Sequence, residues 1–154
     1  KFILDGGRSM IGLESTILDL TKKPRIIRLG GLNVKNINRA LNLNLKYEYK
    51  KNFKFPGQSK VHYSPGIPIK LNVKYPKKHS AYLVISKKKL NNKNYFYLSK
   101  KKNLTEAGKN LYKTLREIKK KKYKLIEVEK IPNIGIGQTI NDRLKRASYK
   151  WALN

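Results

Sequence analysis

The chain contains no cysteine, which excludes disulfides, thiolate catalysis and Cys-ligated zinc. Histidine is nearly as scarce, with only His62 and His79. Neither has a ligand partner at helical or hairpin spacing, so they make a poor metal site. A nucleophilic serine needs a partnered base, and no Ser/His/Asp pattern stands out around these two residues. Acids number 9, with none between Glu48 and Glu106, and paired-carboxylate chemistry finds little to work with. No apolar run approaches the ~20 residues of a membrane span, and nothing resembles a signal peptide. A soluble, cytoplasmic protein without membrane contact is expected.

What is abundant is positive charge. Against those 9 acids stand 37 Lys+Arg, a formal net charge of +28 over 154 residues. Such an excess suggests a polyanionic partner, nucleic acid first. It is equally what heavy use of Lys, Asn and Ile by an A/T-rich genome would produce. Most of the cations are lysines scattered over presumed solvent faces, and arginine, the better phosphate reader, is sparse. Weak non-specific RNA attraction stays open as a by-product. The length suits one domain or two small pieces of domain. The first residue is Lys1, and the strand-like run Phe2-Ile3-Leu4 begins at once. This opening predicts the C-terminal part of a longer protein, cut inside a domain.

Residues 2–4 read as a strand ending in the turn Asp5-Gly6-Gly7. Ser15 to Leu20 reads as another, and Arg25 to Arg28 as its hairpin partner across the turn Thr21-Lys22-Lys23-Pro24. Gly30-Gly31 ends the hairpin. Asn33 is placed to cap a short helix carrying Val34, Ile37 and Leu41 on one face. Residues 48–68 read as a stiff linker, since Pro56 and Pro65 bracket an extended stretch, and Tyr47, Tyr49, Phe53 and Phe55 suggest that it packs against something. After it, Ala81 to Ser86 and Tyr95 to Leu98 have the apolar density of buried strands. Thr105 is placed to cap a helix with Ala107, Leu111, Leu115 and Ile118 on one face and Lys119 to Lys122 near its C-terminus. Leu125 to Val128 is the next strand. Ile134-Gly135-Ile136-Gly137 opens a last helix, with Ile140, Leu144, Ala147 and Trp151 on one face. Strand–helix alternation of this kind implies an α/β layer with some parallel pairing.

Local chemistry names no reaction. Gly135-x-Gly137 could present free backbone N–H groups to a phosphate, but it lacks the third glycine of the dinucleotide fingerprint, and a tight turn packing helix on sheet is the better reading. Hydroxyls such as those of Ser15 and Thr16 most often bond locally. Arg28, at a strand end before Gly30-Gly31, is either an anion contact or a surface charge.

Four blocks taken in order do carry a resemblance. They are Asp5-Gly6-Gly7 with Gly12-Leu13-Glu14-Ser15-Thr16-Ile17-Leu18-Asp19; Pro24 to Gly31; Pro56-Gly57 through His62-Tyr63-Ser64-Pro65; and Leu111-Tyr112, Leu115-Arg116 with Gly135 to Ala147. Together they resemble the threonylcarbamoyl-AMP synthases, the YrdC-type enzymes, in their long two-domain form. The resemblance implies an α/β fold in three parts. Residues 1–47 would be the C-terminal portion of a YrdC-type synthase domain, 48–68 a linker covering the active site, and 69–154 a small Rossmann-like α/β accessory domain.

It also implies a reaction: condensation of L-threonine, bicarbonate and ATP to threonylcarbamoyl-adenylate and pyrophosphate, for t6A modification of tRNA. Ser15, with Thr16 beside it, matches the serine that contacts threonine or carbamate. Arg28 matches the arginine that meets ATP, and His62 and Tyr63 the linker pair that reaches over the nucleotide. Magnesium would be held through the ATP phosphates, with no protein ligand in this chain, and no residue is singled out as catalytic. Leu29 stands where the family has proline, which bears on the turn after Arg28. The family's Lys-x-Arg and Ser-x-Asn motifs precede the matched region and are not in this sequence. The chain alone is therefore expected not to make the adenylate, and the missing half of the synthase domain is an expected partner. The alternatives are a stand-alone basic RNA-binding α/β protein, or a regulatory module in residues 69–154.

Overall fold

A computed structural model describes residues 2–7, 9–47, 63–86 and 92–148. It contains two sheets and three helices. The first sheet is the hairpin of β1 (Ile17–Asp19) and β2 (Arg25–Arg28), antiparallel, with a register shift between Ile17 and Leu18. The bulge shortens the strand that the sequence places over 15–20. Asp19 holds the turn, accepting from the Thr21 backbone N–H at 3.0 Å and from the Arg25 guanidinium. Ile26 and Ile27 are buried.

Helix α1 (Val34–Leu41) starts where Asn33 Oδ1 accepts the Lys35 N–H at 3.0 Å, as expected of a cap. It stops at Asn42, whose φ of 50° is tolerated by asparagine. Asn38 then binds both backbone groups of Leu45, at 2.9 and 3.0 Å. That brings Tyr47 into a bridge with Ile26.

The second sheet is wholly parallel, in the order β3-β6-β4-β5: β3 (Ile69–Lys70), β6 (Ile126–Val128), β4 (Ala81–Val84) and β5 (Tyr95–Tyr97). Central β4 is buried along its whole length. Ala81, Leu83 and Ile85 face one core with Phe96, Leu98, Ile126 and Val128. On that face lie α2 (Leu104–Lys120), through Ala107, Leu111, Leu115 and Ile118, and α3 (Ile136–Ser148), through Ile140, Leu144 and Ala147. Burying each of the large aliphatic side chains contributes about 1.5–3 kcal/mol. On the other face Glu127 is buried but satisfied, accepting from the Lys77 N–H and the Ser80 hydroxyl.

Two expectations are corrected, and one strand lies outside them. Phe2-Ile3-Leu4 forms no strand and is fully exposed. A strand exists only by pairing, and no described strand pairs with this segment. The cap of α2 is Asn103, not Thr105: Asn103 Oδ1 accepts the Glu106 N–H at 3.0 Å, and Thr105 sits inside the first turn. Strand β3 has no sequence signature, since two residues show no alternation; it exists because β6 presents an edge to it. Tyr49, Phe53, Phe55, His62 and Trp151 lie outside the described residues.

Candidate functional site

The site grows from the loop before β1. Gly12, with φ of 70°, brings that loop so close to α2 that a Cβ there would lie 2.7 Å from Lys109 Cα. Leu13 then packs on the core under the parallel sheet, beside Gly108. Gly30, after β2, passes against the same loop: its Cβ would sit 2.2 Å from Thr16 N and 2.3 Å from Glu14 O. Gly31 N–H donates to Glu14 O at 2.9 Å, and Thr16 Oγ1 to Leu32 O at 3.2 Å. The glycine pair at 30–31 thus does more than end a strand. It lets two backbones touch and opens a cleft of ≈ 420 Å³ lined by Ser9, Met10, Glu14, Ser15, Thr16 and Leu32.

Of the described sequence-predicted residues, two line this cleft and two lie outside its lining. Ser15 and Thr16 line it. Arg28 lies across the hairpin, its Nε donating to Ser15 O at 3.1 Å. Tyr63 has a φ of 66°, a left-handed conformation uncommon for an aromatic residue. Its ring stacks on Tyr112 (centroids 5.5 Å apart, planes at 23°), and the Arg143 guanidinium lies 4.9 Å from its centre. His62 is not among the described residues.

At the back of the site is a group that sequence reasoning passed over. The Glu14 carboxylate accepts from Arg143 Nε at 3.0 Å, from the Tyr112 hydroxyl at 3.2 Å and from the Tyr63 hydroxyl. Arg143, only 1% exposed, also donates to Leu29 O at 2.6 Å and to Asp142. Asp142 in turn takes Arg146 Nε at 3.0 Å and the Tyr47 hydroxyl at 3.1 Å. The signs alternate from Glu14 to Arg146, so every buried charge has a partner, as burial demands.

The titration shifts follow this arrangement. Partial burial pushes the Glu14 carboxyl up, but the Tyr63 hydroxyl and the Arg143 guanidinium outweigh it, and the net shift is downward. Burial and the hydrogen bond to Glu14 push the Tyr63 phenol up to about 12. Burial and the Glu14 charge push Tyr112 up as well. Burial alone would lower Arg143, yet Glu14 and the other neighbours raise it on balance. At neutral pH the Glu14 carboxyl is therefore held ionised and the Tyr63 and Tyr112 phenols neutral.

Leu29, in place of the family's proline, is buried and offers its carbonyl to Arg143; the turn after Arg28 is held by that bond. Gly135 (φ 51°) and Gly137 form the tight turn at the start of α3, where a Cβ on Gly137 would lie 2.0 Å from Pro132 O. A larger cleft, ≈ 550 Å³, lies between the Leu45–Tyr47 segment and α3. None of the sequence-predicted site residues lines it. Among the described residues no group of three or more His, Asp or Glu side chains could hold a metal ion, and no helix is long and apolar enough to cross a membrane.

Known proteins resemble this chain in sequence and in fold. Residues 32–148 match the family model described as the C-terminal domain of threonylcarbamoyl-AMP synthase. The chain is 28% identical to the threonylcarbamoyl-AMP synthase of Pyrococcus abyssi over 167 residues, covering 95% of this chain and 48% of that protein. It is similar to the crystal structure of P. abyssi Sua5 complexed with L-threonine, with a TM-score of 0.75 and 26% identity over 94% of this chain and 48% of the other. A P. abyssi Sua5 variant with a His and a Tyr replaced by Ala shares the fold, with a TM-score of 0.68 and 23% identity over 94% of this chain and 47% of the other. The chain thus spans about half the length of these relatives.

Proposed function

The chain belongs to the threonylcarbamoyl-AMP synthase family by its C-terminal domain, and we propose that it is the C-terminal part of such an enzyme. On this reading the complete enzyme is a nucleotidyltransferase. It condenses L-threonine, bicarbonate and ATP to L-threonylcarbamoyladenylate and pyrophosphate for t6A modification of tRNA in the cytoplasm. Residues 1–47 contribute the end of the synthase domain, 48–68 the linker and 69–154 a Rossmann-like accessory domain.

The observation that carries the reading is the pairing of Ser15 with Arg28 across the hairpin, beside the Glu14–Thr16 cleft. A hydroxyl there can orient the carboxylate of threonine or its carbamate. A guanidinium grips phosphate oxygens in a planar fork. When a carbamate oxygen attacks the α-phosphorus of ATP, one O–P bond forms, the bond to the β-phosphate bridge breaks, and pyrophosphate leaves. Such chemistry needs alignment and a cation on the shifting charge more than a proton relay. Arg28 supplies the cation and Ser15 and Thr16 the alignment. Tyr63, whose hydroxyl is engaged by Glu14, is with His62 the pair that would meet the nucleotide. Magnesium enters as the counter-ion of the ATP phosphates.

The chain by itself is expected to release no pyrophosphate from ATP with threonine and bicarbonate. Joined to the first half of the P. abyssi relative it should do so, and Arg28→Ala should abolish ATP binding in the joined protein. Threonine- and bicarbonate-dependent pyrophosphate release by the 154-residue chain would refute this division of the site. The charge of +28 does not favour stand-alone RNA binding over this reading. Loss of RNA binding on raising salt would report that charge alone.

A further inference from the structure

We propose that Arg143 is the positioning residue of this site: one guanidinium on the accessory helix sets the three segments that carry Ser15–Thr16, Arg28 and Tyr63 in a single frame. The proposal deepens the functional reading above and rests on it for the meaning of those residues.

Arg143 occupies a place where packing alone would choose an apolar side chain. It lies on the buried stripe of α3 between Ile140 and Leu144 and is 1% exposed. Burying a cation there is expensive, and well-packed apolar replacements of buried ion pairs are often at least as stable. What the guanidinium adds is direction. Nε points to Glu14, the residue before Ser15. The second terminal nitrogen donates at 2.6 Å to the carbonyl of Leu29, the residue after Arg28. The guanidinium carbon lies over the Tyr63 ring, 4.9 Å from its centre. The remaining nitrogen is tied to Asp142, itself held by Arg146 and Tyr47. Because the fork is planar and rigid, these contacts fix the relative places of three chain segments, each one residue or none from a predicted site residue. A lysine, with one compact charge on a flexible stem, can satisfy only part of this set at a time.

The test compares Arg143→Lys and Arg143→Met with Ile140→Val, a packing change on the same helix. Hydrogen exchange on the 154-residue chain reads the frame directly. Both Arg143 variants should speed exchange at Gly31 N–H, which donates to Glu14 O, by about tenfold, leaving Leu83 and Val84 protected; Ile140→Val should not single out Gly31. In the joined enzyme, Arg143→Lys should raise KM for both threonine and ATP by about tenfold, since small misplacements near a reacting centre are costly. Uniform loosening of the whole chain, or KM values unchanged despite a lower melting temperature, would reduce Arg143 to an ordinary structural residue and overturn the proposal. If the unsubstituted joined enzyme makes no adenylate, the functional reading fails, while the exchange pattern still decides whether Arg143 sets the three segments.

Discussion

Replacing Glu14 by Gln removes one charge and leaves the shape nearly intact, so it isolates what the carboxylate contributes. Glu14 receives Arg143, Tyr112 and Tyr63. A hydrogen bond to a charged group contributes about 1.5–3 kcal/mol net. The Glu14 side chain is 29% exposed, so water screens part of this, and Gln keeps a carbonyl acceptor. The expected loss at pH 7 is therefore about 2 kcal/mol, a shift of about 1 M in the urea midpoint at ordinary slopes. The pH dependence is the sharper check. The native Glu14 carboxyl titrates below its ordinary value of 4.5, so its contribution is complete above that value and is lost as pH falls through the lowered native one. The stability gap between the unsubstituted chain and Glu14→Gln should thus be full at neutral pH and close on acidification. Asp19 and Glu106 also titrate low, but they are common to both proteins and cancel in the difference. A gap that stays constant down to about pH 3 would refute the assignment of Glu14 as the charged hub.

Two further outcomes are expected. Gly30→Ala sets a Cβ against backbone atoms of Glu14 and Thr16, which have no flexible end to move; it should cost about 3 kcal/mol, the top of the usual overpacking range, read as a lower melting temperature. Asn103→Ala should cost about 1 kcal/mol through the lost cap of α2, whereas Thr105→Ala should change stability by less than about 0.5 kcal/mol; chemical denaturation of the two variants side by side decides which residue caps.

Short-range patterns in this chain are legible where the neighbouring residues alone settle the structure. The hairpin around Thr21–Pro24, the Asn33 cap and the stripe Ala107, Leu111, Leu115 and Ile118 all stand as read. Phe2-Ile3-Leu4 misleads because β-propensity states what a pleated surface would accept, not whether a partner is there. Thr105 misleads because either of two polar residues in one turn can cap, and the choice depends on where the chain leaves β5. Of the site, Ser15, Thr16, Arg28 and Tyr63 come from motif resemblance; the hairpin brings Arg28 to Ser15, and Tyr63 reaches the same loop through Glu14. Their use in catalysis is a proposal that this proximity supports. Glu14 stands inside the first motif block, but nothing there marks it as the partner of a buried cation. Arg143 gave a signal: a cation on the apolar stripe of Ile140, Leu144 and Ala147 asks for a buried partner. Which partner it finds depends on packing between units far apart in sequence, which no local window contains.

That distance has a consequence for how the protein is made. Arg143 meets Glu14 across 129 positions and Leu29 across 114, so these contacts close loops far longer than any within the hairpin or α1. Local pieces form early and contacts of long separation late, because the entropy of closing the loop comes before the gain. During synthesis, which proceeds from the N-terminus, the Glu14 loop and the end of β2 emerge long before α3. Until α3 docks, Glu14 lacks Arg143, its charged partner. The cleft beside Ser15 therefore matures last, and a chain cut short before residue 143 would keep its hairpin while leaving that cleft unset.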